Sequence, residues 1–164
     1  MPVVTRGVLY VHSATRALCP HVEWAAGRAL GLRVDLQWTP QPLGRHLYRT
    51  DLSWQGEQGT GARLASALRG WANLRYEVTE EPSRGADGAR FSHVPDLGLF
   101  HAVVDVHGNT VVPEDRVRAA LALADPDEVR HRLELALGEA WDRELEPFRH
   151  AGDDAQVRWL HRVG

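Results

Sequence analysis

Cys19 is the only cysteine of the chain, and it stands directly before Pro20, with His12 upstream and His21 just downstream. A thiol at a helix N-terminus is easier to deprotonate, and a nearby imidazole accepts its proton, so His12, Cys19 and His21 could form a nucleophilic centre. The same cysteine lies between the apolar Leu18 and Val22, which suits a small packing residue, and no established nucleophile signature surrounds it.

A second candidate is the glycine-rich run Gly56-Glu57-Gln58-Gly59-Thr60-Gly61-Ala62-Arg63. It joins an expected strand to an expected helix, the geometry in which free backbone N–H groups and the helix dipole hold phosphate or another anion. Gly59, Thr60, Gly61 and Arg63 are then the anion-binding residues. The run lacks a P-loop lysine and does not match Gly-x-Gly-x-x-Gly, and it only approaches the pyrophosphate loop of acyl-coenzyme A-dependent acetyltransferases. A plain tight connection capped by Thr60 explains it without a ligand.

Glu77, Glu80 and Glu81 could work as general acid and base. Strand alternation separates Glu80 from the other two, and a solvated strand end accounts for all three. Of the nine histidines, His12 and His101 fall where burial is expected. Neither they nor His21, His93 and His107 show metal-ligand spacing, so no metal site and no cofactor is expected. Trp24, Trp38, Trp54 and Trp71 come once per element, as core residues do.

The elements that must position these groups follow from periodicity. Residues 7–12 form a β-rich apolar run, and residues 18–29 repeat apolar positions at helical spacing until Gly31, with Cys19 as cap. Residues 32–38 alternate strictly, which predicts a half-buried strand. After the turn at Pro40, Pro42 and Gly44, the order recurs: a strand at 47–54, a helix carrying Leu64, Ala65, Leu68 and Trp71, and a strand at 74–79. Strand, helix, strand, twice over, predicts an α+β fold with a ferredoxin-like split β-α-β antiparallel sheet across residues 1–82. Arg33, Asp35, Arg49, Asp51, Arg75 and Glu77 fall on the sheet face away from the helices, where pairing across strands in water is expected. Residues 82–90 read as a flexible loop and residues 91–112 as a hairpin turning at His107-Gly108-Asn109. Two helices are expected across 113–150, the second long and aligning Val129, Leu133, Leu137, Trp141, Leu145 and Phe148. The 164 residues are expected to form one domain.

Composition narrows the function classes. The chain is 43% hydrophobic and 25% charged with a formal charge of −3, an ordinary globular balance without the basic field that nucleic acid requires. All 19 basic residues are arginine, which excludes lysine chemistry. Residues 1–113 hold 11 arginines against 10 acids and residues 114–164 hold 8 against 12, so the tail is mildly acidic. A single unpaired cysteine, no secretion signal and no apolar run of about 20 residues point to the cytoplasm and away from a membrane.

Across most of its length the chain resembles the actinobacterial domain-of-unknown-function family 3145. The resemblance is carried by RGVLYVHSA at 6–14, LCPHVEW at 18–24, WTPQP at 38–42, LSWQGE at 52–57, GTGARL at 59–64, LRYEVTEEP at 74–82 and VPEDR at 112–116. It implies no activity, substrate or catalytic residue. It does imply an association with dissociated fatty-acid synthesis, and through it an acyl-carrier or acyl-coenzyme A connection.

The reading these observations favour is a non-catalytic cytoplasmic protein that binds a protein partner or a small molecule, because each catalytic candidate has a structural explanation. The alternative is a small enzyme or acyl/coenzyme A-binding module that uses the loop at 56–63 for phosphate and the His12, Cys19 and His21 junction for chemistry. A homodimer joined through the charged sheet face is a third expectation.

Overall fold

The computed structural model describes residues 2–152; Met1 and residues 153–164, the two ends of the expected domain, lie outside the described residues. The fold is α+β. Seven strands form one antiparallel sheet: β1 (Val4–Thr15), β2 (Thr39–Pro40), β3 (Leu47–Glu57), β4 (Arg75–Glu80), β5 (Gly88–Val94), β6 (Gly98–Val104) and β7 (Thr110–Val111). The helices are α1 (Cys19–Leu30), α2 (Thr60–Leu68), α3 (Glu114–Leu121), α4 (Pro126–Leu137) and α5 (Glu139–Arg149). Strand order is β2-β3-β1-β4-β5-β6-β7, so the first four strands interleave and the last three extend the β4 edge in sequence.

Both crossovers place their helices on one face. Leu9 and Val11 of β1, Trp54 of β3, Tyr76 and Val78 of β4 and Phe91 of β5 point to that side and meet Val22, Ala25 and Ala26 of α1 and Leu64, Ala65 and Leu68 of α2. Alternation along each strand puts these residues on one side and their neighbours on the other. Gly7 is where β1 runs closest to its surroundings. A Cβ there would stand 1.8 Å from the Thr79 carbonyl oxygen and 2.6 Å from the Trp54 ring, so only glycine fits.

Several expectations need correction. Residues 32–38 are not a strand; only Thr39–Pro40 pairs with β3, at Arg49 and Tyr48. Side chains stitch the segment instead: Glu23 accepts from Leu36 N at 3.2 Å and Trp38 Nε1 at 3.0 Å, and Thr50 Oγ1 donates to the Gln37 carbonyl at 2.8 Å. Val34 and Leu36 are buried, so the alternation recorded real burial without a hydrogen-bonded partner strand. Residues 82–90 hold a tight reversal, with Ser83 and Ala86 exchanging backbone hydrogen bonds at 3.0 Å, and then the start of β5. The long C-terminal helix is two helices, because Gly138 adopts φ 80° between α4 and α5, a left-handed conformation that ends a helix. The sheet face opposite α1 and α2 does not meet water throughout: α5 lies across it and buries Glu77 to 2% exposure.

Cys19 is the first residue of α1 rather than its cap, which is Leu18. His101 is exposed, its ring stacked on Phe91 with centroids 4.6 Å apart. Among the described residues no helix is long and apolar enough to cross a membrane.

Gly7→Ala is expected to lower stability by about 3 kcal/mol through overpacking against backbone that cannot move aside. Urea unfolding with an unchanged slope and a lower midpoint would show it.

Candidate functional site

The centre of the α5-covered face is built by a bulge. Against both β3 and β4, β1 carries one extra residue at Val11–Ala14, so His12 and Ser13 both turn toward α5. Gln41, 1% exposed, donates from Nε2 to the His12 carbonyl at 2.8 Å and so satisfies the backbone at the bulge. Ser13 Oγ accepts from Arg75 Nη1 at 3.3 Å, and the Arg75 guanidinium lies 4.4 Å from the Phe148 ring centre.

Glu77 stands opposite Tyr10 on β1 and Ser92 on β5, which fixes it on this face. Its carboxylate is enclosed by cations and donors. His12 Nε2 donates to Oε2 at 2.6 Å, Arg149 Nε donates to Oε2 at 3.0 Å, and Arg149 Nη2 donates to Oε1. Ser92 Oγ lies 3.5 Å from Oε1. Arg149 Nη2 also reaches Asp142 Oδ1 at 2.9 Å, and the same oxygen accepts from Arg90 Nη2 at 2.9 Å. The chain Arg90–Asp142–Arg149–Glu77–His12 thus ties β5, α5, β4 and β1 together.

Burial works to raise the Glu77 pKa, but the hydrogen bonds and positive charges of His12 and Arg149 outweigh it and hold the carboxyl at about 2 instead of 4.5. Burial likewise opposes the charge of Arg149, and its bonds to Glu77 and Asp142 more than offset that, so its pKa is raised. Breaking such a buried pair is costly, because removing one partner leaves the other charge buried and uncompensated.

Beside this network lies a cavity of about 280 Å³ between the sheet, α5 and the β6–β7 turn. Tyr10, Glu77, Arg90, Ser92, Asp142 and Arg149 line it, with Thr110 and Val104 among the residues of its far wall.

The residues singled out from the sequence go to separate places. His12 sits behind the cavity on Glu77, its ring stacked 6.0 Å from that of Tyr10. Cys19 belongs to α1, with Sγ 3.5 Å from the Thr15 carbonyl, and burial pushes its thiol pKa up, away from a thiolate. His21 is exposed against Trp71. The glycine run does expose amides at the start of α2, and Glu80 takes them: Gly59 N donates to Oε1 at 2.9 Å and Gly61 N to Oε2 at 2.7 Å. Arg63 Nη2 donates to Thr60 Oγ1, which donates to the Glu57 carbonyl, both at 2.7 Å. The anion of this loop is therefore a side chain of β4. Among the described residues no group of three or more His, Cys, Asp and Glu could hold a metal ion.

Sequence reasoning picked out Glu77 and misplaced it in solvent; it passed over Asp142 and Arg149. Their signal was positional, because both flank Leu145 on the stripe of α5 that faces the sheet, and Leu145 is fully buried. Charged residues on a buried stripe need partners.

Glu77→Gln is expected to cost about 3 kcal/mol, since Arg149 then keeps its burial without its main counter-charge. Because the folded pKa of Glu77 lies below the unfolded value, its contribution is full above pH 4.5 and is lost as pH falls toward 2. An acid titration of stability should therefore fall steeply across that window in the wild type and more shallowly in Glu77→Gln.

No curated protein and no solved structure matches the chain. A family model does, across residues 8–162, and a match of that extent makes this chain a member of the family described as protein of unknown function (DUF3145).

Proposed function

We propose that this chain is a non-catalytic binding protein whose ligand is a small, uncharged molecule held in the cavity between the sheet and α5. The observation that carries this reading is that the charges lining the cavity are engaged by other protein groups. Glu77 is held by Arg149 and His12, Asp142 by Arg90 and Arg149, Glu80 by the amides of α2, and Glu81 by Arg6 at 2.6 Å. A charged ligand would lose its water and gain no free counter-ion, whereas an uncharged one meets a partly enclosed space with hydroxyls and guanidiniums at its walls. The volume equals that of roughly ten water molecules.

The same groups are poorly suited to catalysis. A general acid or base works best with a pKa near the working pH, and Glu77 is held far below it. Cys19 is kept as a thiol and does not line the cavity. The acyl or coenzyme A alternative has less support, because Glu80 already occupies the amides that would take its phosphates. We further read the core as ferredoxin-like, extended by β5, β6 and β7, and its unpaired, buried Cys19 as fitting the cytoplasm.

The test is a screen of small uncharged compounds by amide NMR shifts. Hits should move the signals of Arg90, Ser92 and Thr110, and Val104→Trp and Thr110→Trp, which fill the cavity from partly exposed positions, should abolish them while leaving the melting temperature within a few degrees. If no uncharged compound shifts these amides, or if the filled variants respond as the wild type does, the reading fails.

A further inference from the structure

A second depression, of about 500 Å³, opens where the start of β6 meets α3, α4 and the first turn of α5. Its charge pattern is the reverse of the cavity's. Two arginines, Arg116 from α3 and Arg132 from α4, line it together with His101 of β6, and no carboxylate does. Among the described residues neither guanidinium has a hydrogen-bond or ion-pair partner. Arg116 also faces His101: after burial, its positive charge is what lowers the histidine's pKa.

Beneath these groups the surface is apolar, formed by Leu99, Leu135 and Trp141. The Trp141 ring is fixed, because Nε1 donates to the Gly98 carbonyl at 2.9 Å and the ring packs on Phe100 with centroids 5.0 Å apart. Phe100 separates the cleft from the cavity, carrying Arg90 at 5.6 Å from its ring centre. The outer edge of β6 is open beside the cleft, since β7 pairs only with Val103 and Val104.

We propose that this cleft binds a small amphipathic anion, its apolar chain on Leu99, Leu135 and Trp141 and its carboxylate or phosphate head between Arg116 and Arg132. Two unpaired guanidiniums set above an apolar floor supply what such a molecule lacks in water: charge-assisted hydrogen bonds for one end and dry contact for the other. The uncharged ligand proposed for the first cavity has no use for either arginine, so the two sites are independent.

Octanoate, octyl phosphate, octan-1-ol and octyltrimethylammonium are the probes, each titrated into the ¹⁵N-labelled protein. One or both anions should shift the amides of Leu99, Phe100 and His101 and the Trp141 indole, and the anion that binds more tightly identifies the head group. The double variant Arg116→Gln/Arg132→Gln should weaken that binding by at least about tenfold and leave octan-1-ol unchanged. Val104→Trp and Thr110→Trp should bind the anion as the wild type does, which separates this site from the cavity. Absence of shifts with both anions, equal affinity for octan-1-ol or the cation, or undiminished binding by the double variant would each overturn the proposal.

Discussion

The pairing of Glu77 with Arg149 is the interaction on which the α5 face of this molecule depends. A carboxylate on a central strand faces away from the main core and would ordinarily be hydrated. Here it is fully buried because a guanidinium from a helix 72 residues later, and an imidazole turned inward by a bulge, satisfy it from both sides. Hydrogen bonds to charged groups are strong and directional, so they fix the angle at which α5 crosses the sheet. Leu145, Phe148 and Trp141 then complete the contact by burial.

That crossing leaves a hollow on each side of α5. On one side α5 roofs a cavity in which charge is internally balanced; on the other its first turn walls a cleft in which, among the described residues, two guanidiniums have no balancing carboxylate. Proteins that hold charges in compensated networks select against ions at those places, and uncompensated groups select for them. One helix thereby walls two hollows of opposite charge balance.

Much of this was legible beforehand. The α+β class, both crossover helices, the core stripe from Leu9 to Leu68 and the hairpin turn all followed from periodicity and turn chemistry, which are local. What did not follow was non-local. The stretch at 32–38 alternates as a strand does, but its backbone partners are the side chains of Glu23 and Thr50, a fact that no spacing records. Alternation puts Glu77 on the face it occupies, but no local pattern shows that α5 covers that face. The glycine loop was expected to hold a bound anion, and only the fold shows that the Glu80 carboxylate takes its amides. Arg149 lies so far from Glu77 in sequence that pairing them requires knowing where α5 docks.

The distance between those two residues along the chain also sets an order of assembly. Synthesis proceeds from the N-terminus at roughly 5–20 residues per second, so β1, β3 and β4 emerge and can pair on the order of ten seconds or less before Arg149 leaves the ribosome. Throughout that interval the nascent sheet presents Glu77 to solvent as an ordinary hydrated acid. Helix α5 therefore acts as a latch: neither the cavity nor the cleft is complete until Arg149 has emerged, and a product truncated before α5 would keep the main core while lacking both.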